Sequence, residues 1–183
     1  MNMRCGWVDE NCDVYVRYHD EEWGVPVYDD GKLFEMLLLE SFQAGLSWLT
    51  VLRKREAFRA AFDDFDVQKV AQYGAEKIAA LLQNEGIIRS RLKIAAVIGN
   101  ARVFIKIQQE YGSFSKYLWH FTDGKVQRYG IFPCQAKNAL SDEISRDLRR
   151  RGMKYVGSVI IYSYLQAVGV INDHELQCHC FHK

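Results

Sequence analysis

The chain has 183 residues, 49% of them hydrophobic and 13% aromatic, enough to bury one sizeable core and too apolar for intrinsic disorder. A net charge of +1 argues against a strong uniform field, although basic clusters occur at Arg53-Lys54-Arg55, Arg89 to Lys93 and Arg149-Arg150-Arg151. No run of about 18 apolar residues appears and Met1 to Trp7 lacks a signal peptide's apolar stretch, so no membrane span and a cytosolic, reducing location are expected.

In chain order the periodicity predicts an all-α domain covering residues 1–183. Asp29 or Asp30 should cap a helix running through Leu33, Phe34, Met36, Leu37 and Glu40, broken at Gly45. A helix over 47–62 follows, then a short one capped by Asp66 and another from Ala75 to Gln83, ended near Gly86. Ile88 to Tyr111 reads as one long amphipathic helix, and Ser113 to Phe121 as a short aromatic one. Residues 122–138 are the least regular and read as a long loop. Ser141 should cap a helix whose first turn is acidic and whose last turn is Arg149 to Arg151, matching the helix dipole, with Gly152 as the stop. Tyr155 to Val168 is nearly all apolar and should form a buried central helix stopped by Gly169.

Cysteine and histidine are sorted to the two ends. Cys5, Cys12 and His19 open the chain; His174, Cys178, His179, Cys180 and His182 close it; only His120 and Cys134 lie between. Thiolates and imidazoles are the ligands Zn²⁺ prefers, and in a reducing compartment clustered cysteines read as metal ligands rather than disulfides. A metal drawing ligands from both ends would clasp residues 1–25 to 170–183.

From Leu33 to Leu52 the only acidic residues are Glu35 and Glu40. At about 100° per residue, Leu33, Met36, Leu37 and Ala44 share a face with Glu40 at its centre, while Glu35 points away and reads as solvated. A carboxylate in an apolar stripe is costly unless paired or used, and its pKa should rise. Glu40 could meet an arginine or cap a neighbouring helix. The alternative is a site, because Trp48 follows and Tyr15, Tyr18 and Trp23 precede it, and a carboxylate ringed by aromatics makes a slot for a flat, electron-poor ring. Between two predicted helices, residues 83–93 hold Gly86 and Ile88 with Arg89, Arg91 and Lys93; such a turn is an ordinary connection or a phosphate cradle.

Several strings together resemble bacterial 3-methyladenine DNA glycosylase I. They are Cys5-Gly6-Trp7, Tyr15-Val16-Arg17-Tyr18-His19-Asp20, Glu22-Trp23-Gly24-Val25-Pro26, Leu33-Phe34-Glu35-Met36, Leu39-Glu40, Gln43-Ala44-Gly45-Leu46-Ser47-Trp48 and Asn84-Glu85-Gly86-Ile87-Ile88-Arg89. Ile98-Gly99-Asn100-Ala101, Arg151-Gly152, Val156-Gly157 and Asn172-Asp173-His174 extend the match nearly end to end. The resemblance implies a helix–hairpin–helix glycosylase fold with the hairpin motif near 75–105, and one structural zinc on Cys5, His19, His174 and Cys178, with Cys180 or His179 as substitutes for Cys178.

It also implies excision of 3-methyladenine from double-stranded alkylated DNA by a monomer, with free 3-methyladenine as product. A cationic purine leaves readily and stacks on aromatic faces. Glu40 would accept from the base edge, Tyr18 and Trp48 would line the pocket with Tyr15 and Trp23 close by, and the nucleotide would be flipped to reach it. Leu46 would be the wedge, and Gly86, Ile88, Arg89 and Arg91 would face DNA. Glycosylases of this fold often activate water with an aspartate after the hairpin, yet no acidic residue occurs from Gly86 to Gln109; nor does the hairpin carry a lyase lysine, so a monofunctional hydrolase is expected. A zinc hydrolase would need an open metal position and a motif such as His-Glu-x-x-His, which is missing. A non-catalytic, zinc-stabilised DNA-binding module of the same fold is the remaining alternative.

Overall fold

The computed structural model describes residues 3–43, 45–130 and 134–182. It is built from helices α1 (Asp13–Glu21), α2 (Asp30–Gln43), α3 (Trp48–Arg53), α4 (Arg55–Ala61), α5 (Val67–Ala71) and α6 (Ala75–Gln83). Then come α7 (Arg91–Tyr111), α8 (Phe114–His120), α9 (Ala139–Arg150) and α10 (Ser158–Ala167). Among the described residues the only sheet is a parallel pair, β1 (Gln127–Arg128) beside β2 (Ile171–Asn172). No helix among them is long and apolar enough to cross a membrane.

Helix α2 sits at the centre, packed against α3, α7, α8 and α10, and every residue from Leu33 to Phe42 is buried. That burial corrects the expectation for Glu35. A stripe reading assumes one wet face, whereas this helix is enclosed all round. Glu35 is therefore buried and satisfied by charge: Arg55 Nε and Arg59 donate to Oε1 at 2.7 and 3.0 Å, with Lys32 3.5 Å from Oε2. Ala44 lies outside the described residues, as do residues 131–133 of the expected loop.

Local chemistry sets the other boundaries. Asp29 caps α2 by accepting from the Lys32 N–H at 2.8 Å, while Asp30 turns away and accepts from the Phe114 and Ser115 amides, capping α8 from a distance in sequence. The helix expected over 47–62 is split at Lys54, whose ammonium donates to the carbonyls of Glu85 and Gly86 at 3.0 and 3.2 Å. Helix α7 begins three residues later than expected because Ser90 Oγ caps it through the Lys93 N–H. Helix α9 begins earlier, since Asn138 and Ser141 form a reciprocal capping box that places Ser141 inside the helix. Helix α10 is shorter than expected: Tyr155 adopts a left-handed backbone (φ 55°) and Gly157 is the N-cap.

The loop expected over 122–138 is partly paired. Gln127 N–H donates to Val170 O at 2.9 Å and Tyr129 N–H to Asn172 O at 3.2 Å, which ties it to the strand leading into His174. The N-terminal segment is drawn onto the same region: Gly24 N–H donates to Gln166 O at 2.8 Å and Val27 N–H to Val168 O at 3.0 Å. Gly169 permits this approach, since a Cβ there would lie 2.2 Å from the Val25 carbonyl carbon, and its φ of +70° also favours glycine.

Candidate functional site

Four segments distant in sequence line a cavity of about 200 Å³. The N-terminal stretch brings Trp7, Tyr15, Tyr18 and Trp23; α2 and the start of α3 bring Glu40, Gln43 and Trp48; Cys134, Ser163 and Gln166 complete the wall. All five residues expected to read a base are therefore together. Trp7 packs edge-on against Tyr15 and Trp23, each with centroids 5.0 Å apart, and Tyr18 tilts against Trp48 at 5.4 Å.

Glu40 is almost fully buried, and burial alone pushes its carboxyl up to about 8. Burial also raises the Tyr18 hydroxyl, with the nearby Glu40 charge adding to the effect. Three buried polar side-chain atoms among the described residues have no hydrogen-bond partner: Glu40 Oε2, Trp48 Nε1 and Trp7 Nε1. All three residues border this one cavity. Leaving such groups unmade costs about 1–3 kcal/mol each, so the unmet hydrogen-bonding capacity gathers at this one cavity. The contrast with Glu35 is direct, because that equally buried carboxylate has two arginines and a lysine.

The aromatic wall continues into a cluster of potential metal ligands. Cys5 Sγ and Cys178 Sγ each lie 3.5 Å from His174 Nδ1, Cys178 Sγ lies 3.5 Å from His19 Nε2, and the two imidazole nitrogens are 3.2 Å apart. All four side chains are buried and could hold a metal ion. Outer partners orient them: His19 Nδ1 meets Asp20 at 2.7 Å, Asp20 is held by Arg4, and His174 Nε2 meets Trp23 O at 2.8 Å. The Cys5 and Cys178 sulfurs accept from the Glu175 and Cys180 amides at 3.3 and 3.4 Å. Cys180 Sγ instead meets His179 Nε2 and the Asp20 carbonyl, and His179 Nδ1 meets Met3 O. The ring of Trp23 stands edge-on to His174 with centroids 4.6 Å apart, so a cavity wall rests on the cluster.

Leu46 is 42% exposed on the turn between α2 and α3, next to Trp48. Gly86, Ile88 and Arg89 form the turn between α6 and α7, and Arg91 opens α7. Gly86 N–H is taken by Asn84 Oδ1 at 2.8 Å, and Arg89 is half-exposed with Glu85 3.9 Å away. A second helical turn, residues 151–157 between α9 and α10, faces the start of α7 across a larger groove of about 720 Å³ bordered by Leu92, Gly99, Arg149 and Lys154.

The model of the methyladenine glycosylase family matches residues 7–182. The chain belongs to that family. It is 46% identical over 181 residues to DNA-3-methyladenine glycosylase 1 of Escherichia coli, covering 97% of this chain and 96% of the relative. It is 39% identical to DNA-3-methyladenine glycosylase of Haemophilus influenzae, covering 98% of each. Among solved structures it is similar to 3-methyladenine DNA glycosylase I from Staphylococcus aureus, with TM-score 0.94, 39% identity, and coverage of 98% of this chain and 97% of that one. A variant of 3-methyladenine DNA glycosylase I in complex with 3-methyladenine superposes equally well, with TM-score 0.94 and 98% of each chain covered.

Within this family member, sequence reasoning missed Trp7, Gln43, Cys134, Ser163 and Gln166 as cavity residues. Trp7 sits two positions after Cys5 in the first string of the resemblance, which was a usable signal. Ser163 and Gln166 were passed over because the nearly all-apolar helix that carries them read as plain core.

Proposed function

We propose that this protein is a monofunctional DNA glycosylase that hydrolyses the N-glycosidic bond of 3-methyladenine in alkylated double-stranded DNA. The observation that carries the reading is the buried Glu40 carboxyl, with Oε2 lacking any hydrogen-bond partner, beside an aromatic cavity of about 200 Å³. That volume lies below the ~300 Å³ at which pockets for drug-sized ligands begin, and suits a single flat ring system. The family relatives that carry 3-methyladenine in their names support the same substrate.

The chemistry follows from charge. Alkylation at N3 makes the base cationic, so it leaves as a neutral purine and needs little acid assistance. A cation is favoured over the faces of Trp48 and Tyr18 and beside Glu40, which a nearby positive charge draws toward its ionised form. Ordinary adenine, being neutral, lacks this attraction. A base that enters this recess between aromatic side chains would have to leave the stack, and exposed Leu46, two residues before Trp48, would fill the gap.

DNA would cross both helical turns. Lys93 Nζ donates to Phe42 O at 2.8 Å, holding the start of α7 beside the end of α2, where Gln43 borders the cavity. Arg149 and Lys154 border the groove, and Arg89 and Arg91 lie on the α6–α7 turn and at the start of α7, so phosphate contacts would come from these local basic groups rather than from a uniformly basic surface.

The metal in this reading is zinc, on Cys5, His19, His174 and Cys178. A tetrahedron of Zn–N near 2.05 Å and Zn–S near 2.3 Å has N···N edges of about 3.3 Å and N···S edges of about 3.6 Å. The measured edges of 3.2 and 3.5 Å fit that frame. Four protein ligands close the coordination shell, so the zinc's task is to hold the segment bearing Trp7, Tyr15, Tyr18 and Trp23. The same reading takes the enzyme as a cytosolic monomer.

The test is incubation with alkylated duplex DNA and analysis of the released bases. Free 3-methyladenine and an intact, abasic backbone are expected; DNA binding without release would leave the non-catalytic module instead.

A further inference from the structure

Glu40 is not the only hydrogen-bonding group with spare capacity at the cavity. Gln166 is buried near the end of α10 and borders the cavity with Glu40. Its Nε2 donates to Asp173 Oδ2 at 2.8 Å, and the same oxygen receives the Tyr162 hydroxyl at 2.6 Å. An oxygen that already accepts from a phenol offers only lone pairs to its next neighbour. The Gln166 amide must therefore turn its nitrogen, not its oxygen, to Asp173. With the nitrogen committed to Asp173, Oε1 lies on the other side of the amide and accepts no hydrogen bond from any described residue. The Gln166 backbone is fixed as well, because its carbonyl accepts from Gly24 N–H at 2.8 Å.

We propose that Gln166 is a specificity-determining residue: its Oε1, locked by Asp173, is a second hydrogen-bond acceptor for the edge of the flipped base beside Glu40. The inference rests on the glycosylase reading above. An adenine-type edge carries an exocyclic amino group, which donates to such acceptors. A guanine-type edge carries a carbonyl oxygen at the same ring position, which would face them lone pair to lone pair. Discrimination then comes from repulsion of the wrong edge as well as attraction of the right one. The amide is held in one orientation before the base arrives, so no reorientation is needed on binding.

The experiment is single-turnover release of 3-methyladenine and 3-methylguanine from alkylated duplex DNA by the zinc-loaded wild type and Gln166→Met. Methionine keeps the volume and removes the acceptor. The expected result is a fall of about tenfold in the ratio of 3-methyladenine to 3-methylguanine release, with metal content and Tm retained. Gln166→Asn, which retracts the oxygen by one methylene, should lower the ratio in the same direction and serves if the methionine variant does not fold. A ratio within about twofold of wild type overturns the proposal, including the case in which both rates fall together, the signature of a packing role. A wild type that releases neither base overturns the glycosylase reading and this inference with it. Release of 3-methyladenine by the wild type with unchanged variant ratios overturns the role of Gln166 alone.

Discussion

Replacing Glu40 by Gln separates the cost of this carboxyl from its use. Burial moves Glu40 from the ordinary 4.5 to about 8, so the folded chain holds a proton that the unfolded chain has lost between those values. The sign follows from linkage. The contribution of Glu40 to stability is complete below 4.5 and is lost as pH rises through about 8. At about 1.4 kcal/mol per pH unit, the full interval corresponds to on the order of 4–5 kcal/mol, most of it incurred between about pH 5 and pH 9. Glutamine has nearly the same shape and no titration. The difference in unfolding free energy between Glu40→Gln and wild type should therefore move in the variant's favour by about 4 kcal/mol over that range, as read by denaturant unfolding at several pH values. At the same time the variant should lose about 100-fold or more in excision of 3-methyladenine, because the charge that favours the cation is gone. Parallel stability curves for the two proteins would refute the burial argument, and unchanged excision would remove Glu40 from the site.

Two further outcomes are expected. Glu35→Gln on the same helix should behave oppositely, losing about 3 kcal/mol at neutral pH because Arg55 and Arg59 are left partly uncompensated, while released base per folded molecule stays near wild type; thermal unfolding and a normalised excision assay check this. Elemental analysis should find one zinc per chain, and Cys5→Ser or chelation should lower Tm and blunt excision together, since Trp23 rests against His174; a metal-free wild type of undiminished Tm would overturn the clasp.

Much of the site was legible because it depends on chemistry that sequence displays. Glu40 stood out as a carboxylate within apolar positions, and the aromatics near it were visible as residues, though not as a cavity. The same periodicity failed for Glu35. A face can be called wet only if the helix has one, and α2 is enclosed by α3, α7, α8 and α10. Helix termini moved for equally local reasons, such as the Asn138–Ser141 box and the Ser90 cap, where side chains away from the expected boundary take up the orphan amides.

The sequence by itself determined the helical class, the end-loaded cysteines and histidines, and an acid set among apolar positions. It could not decide which buried acid was paired. Arg55 and Arg59 reach Glu35 across 20 and 24 residues, and nothing comparable reaches Glu40 Oε2. Nor could it bring Gln166 to the cavity, since that placement needs α10, the 24–27 segment and the Asp173 turn to meet. Solvation and pairing are properties of three-dimensional neighbourhoods, so tertiary structure alone separated the paired carboxylate from the one whose Oε2 has no partner.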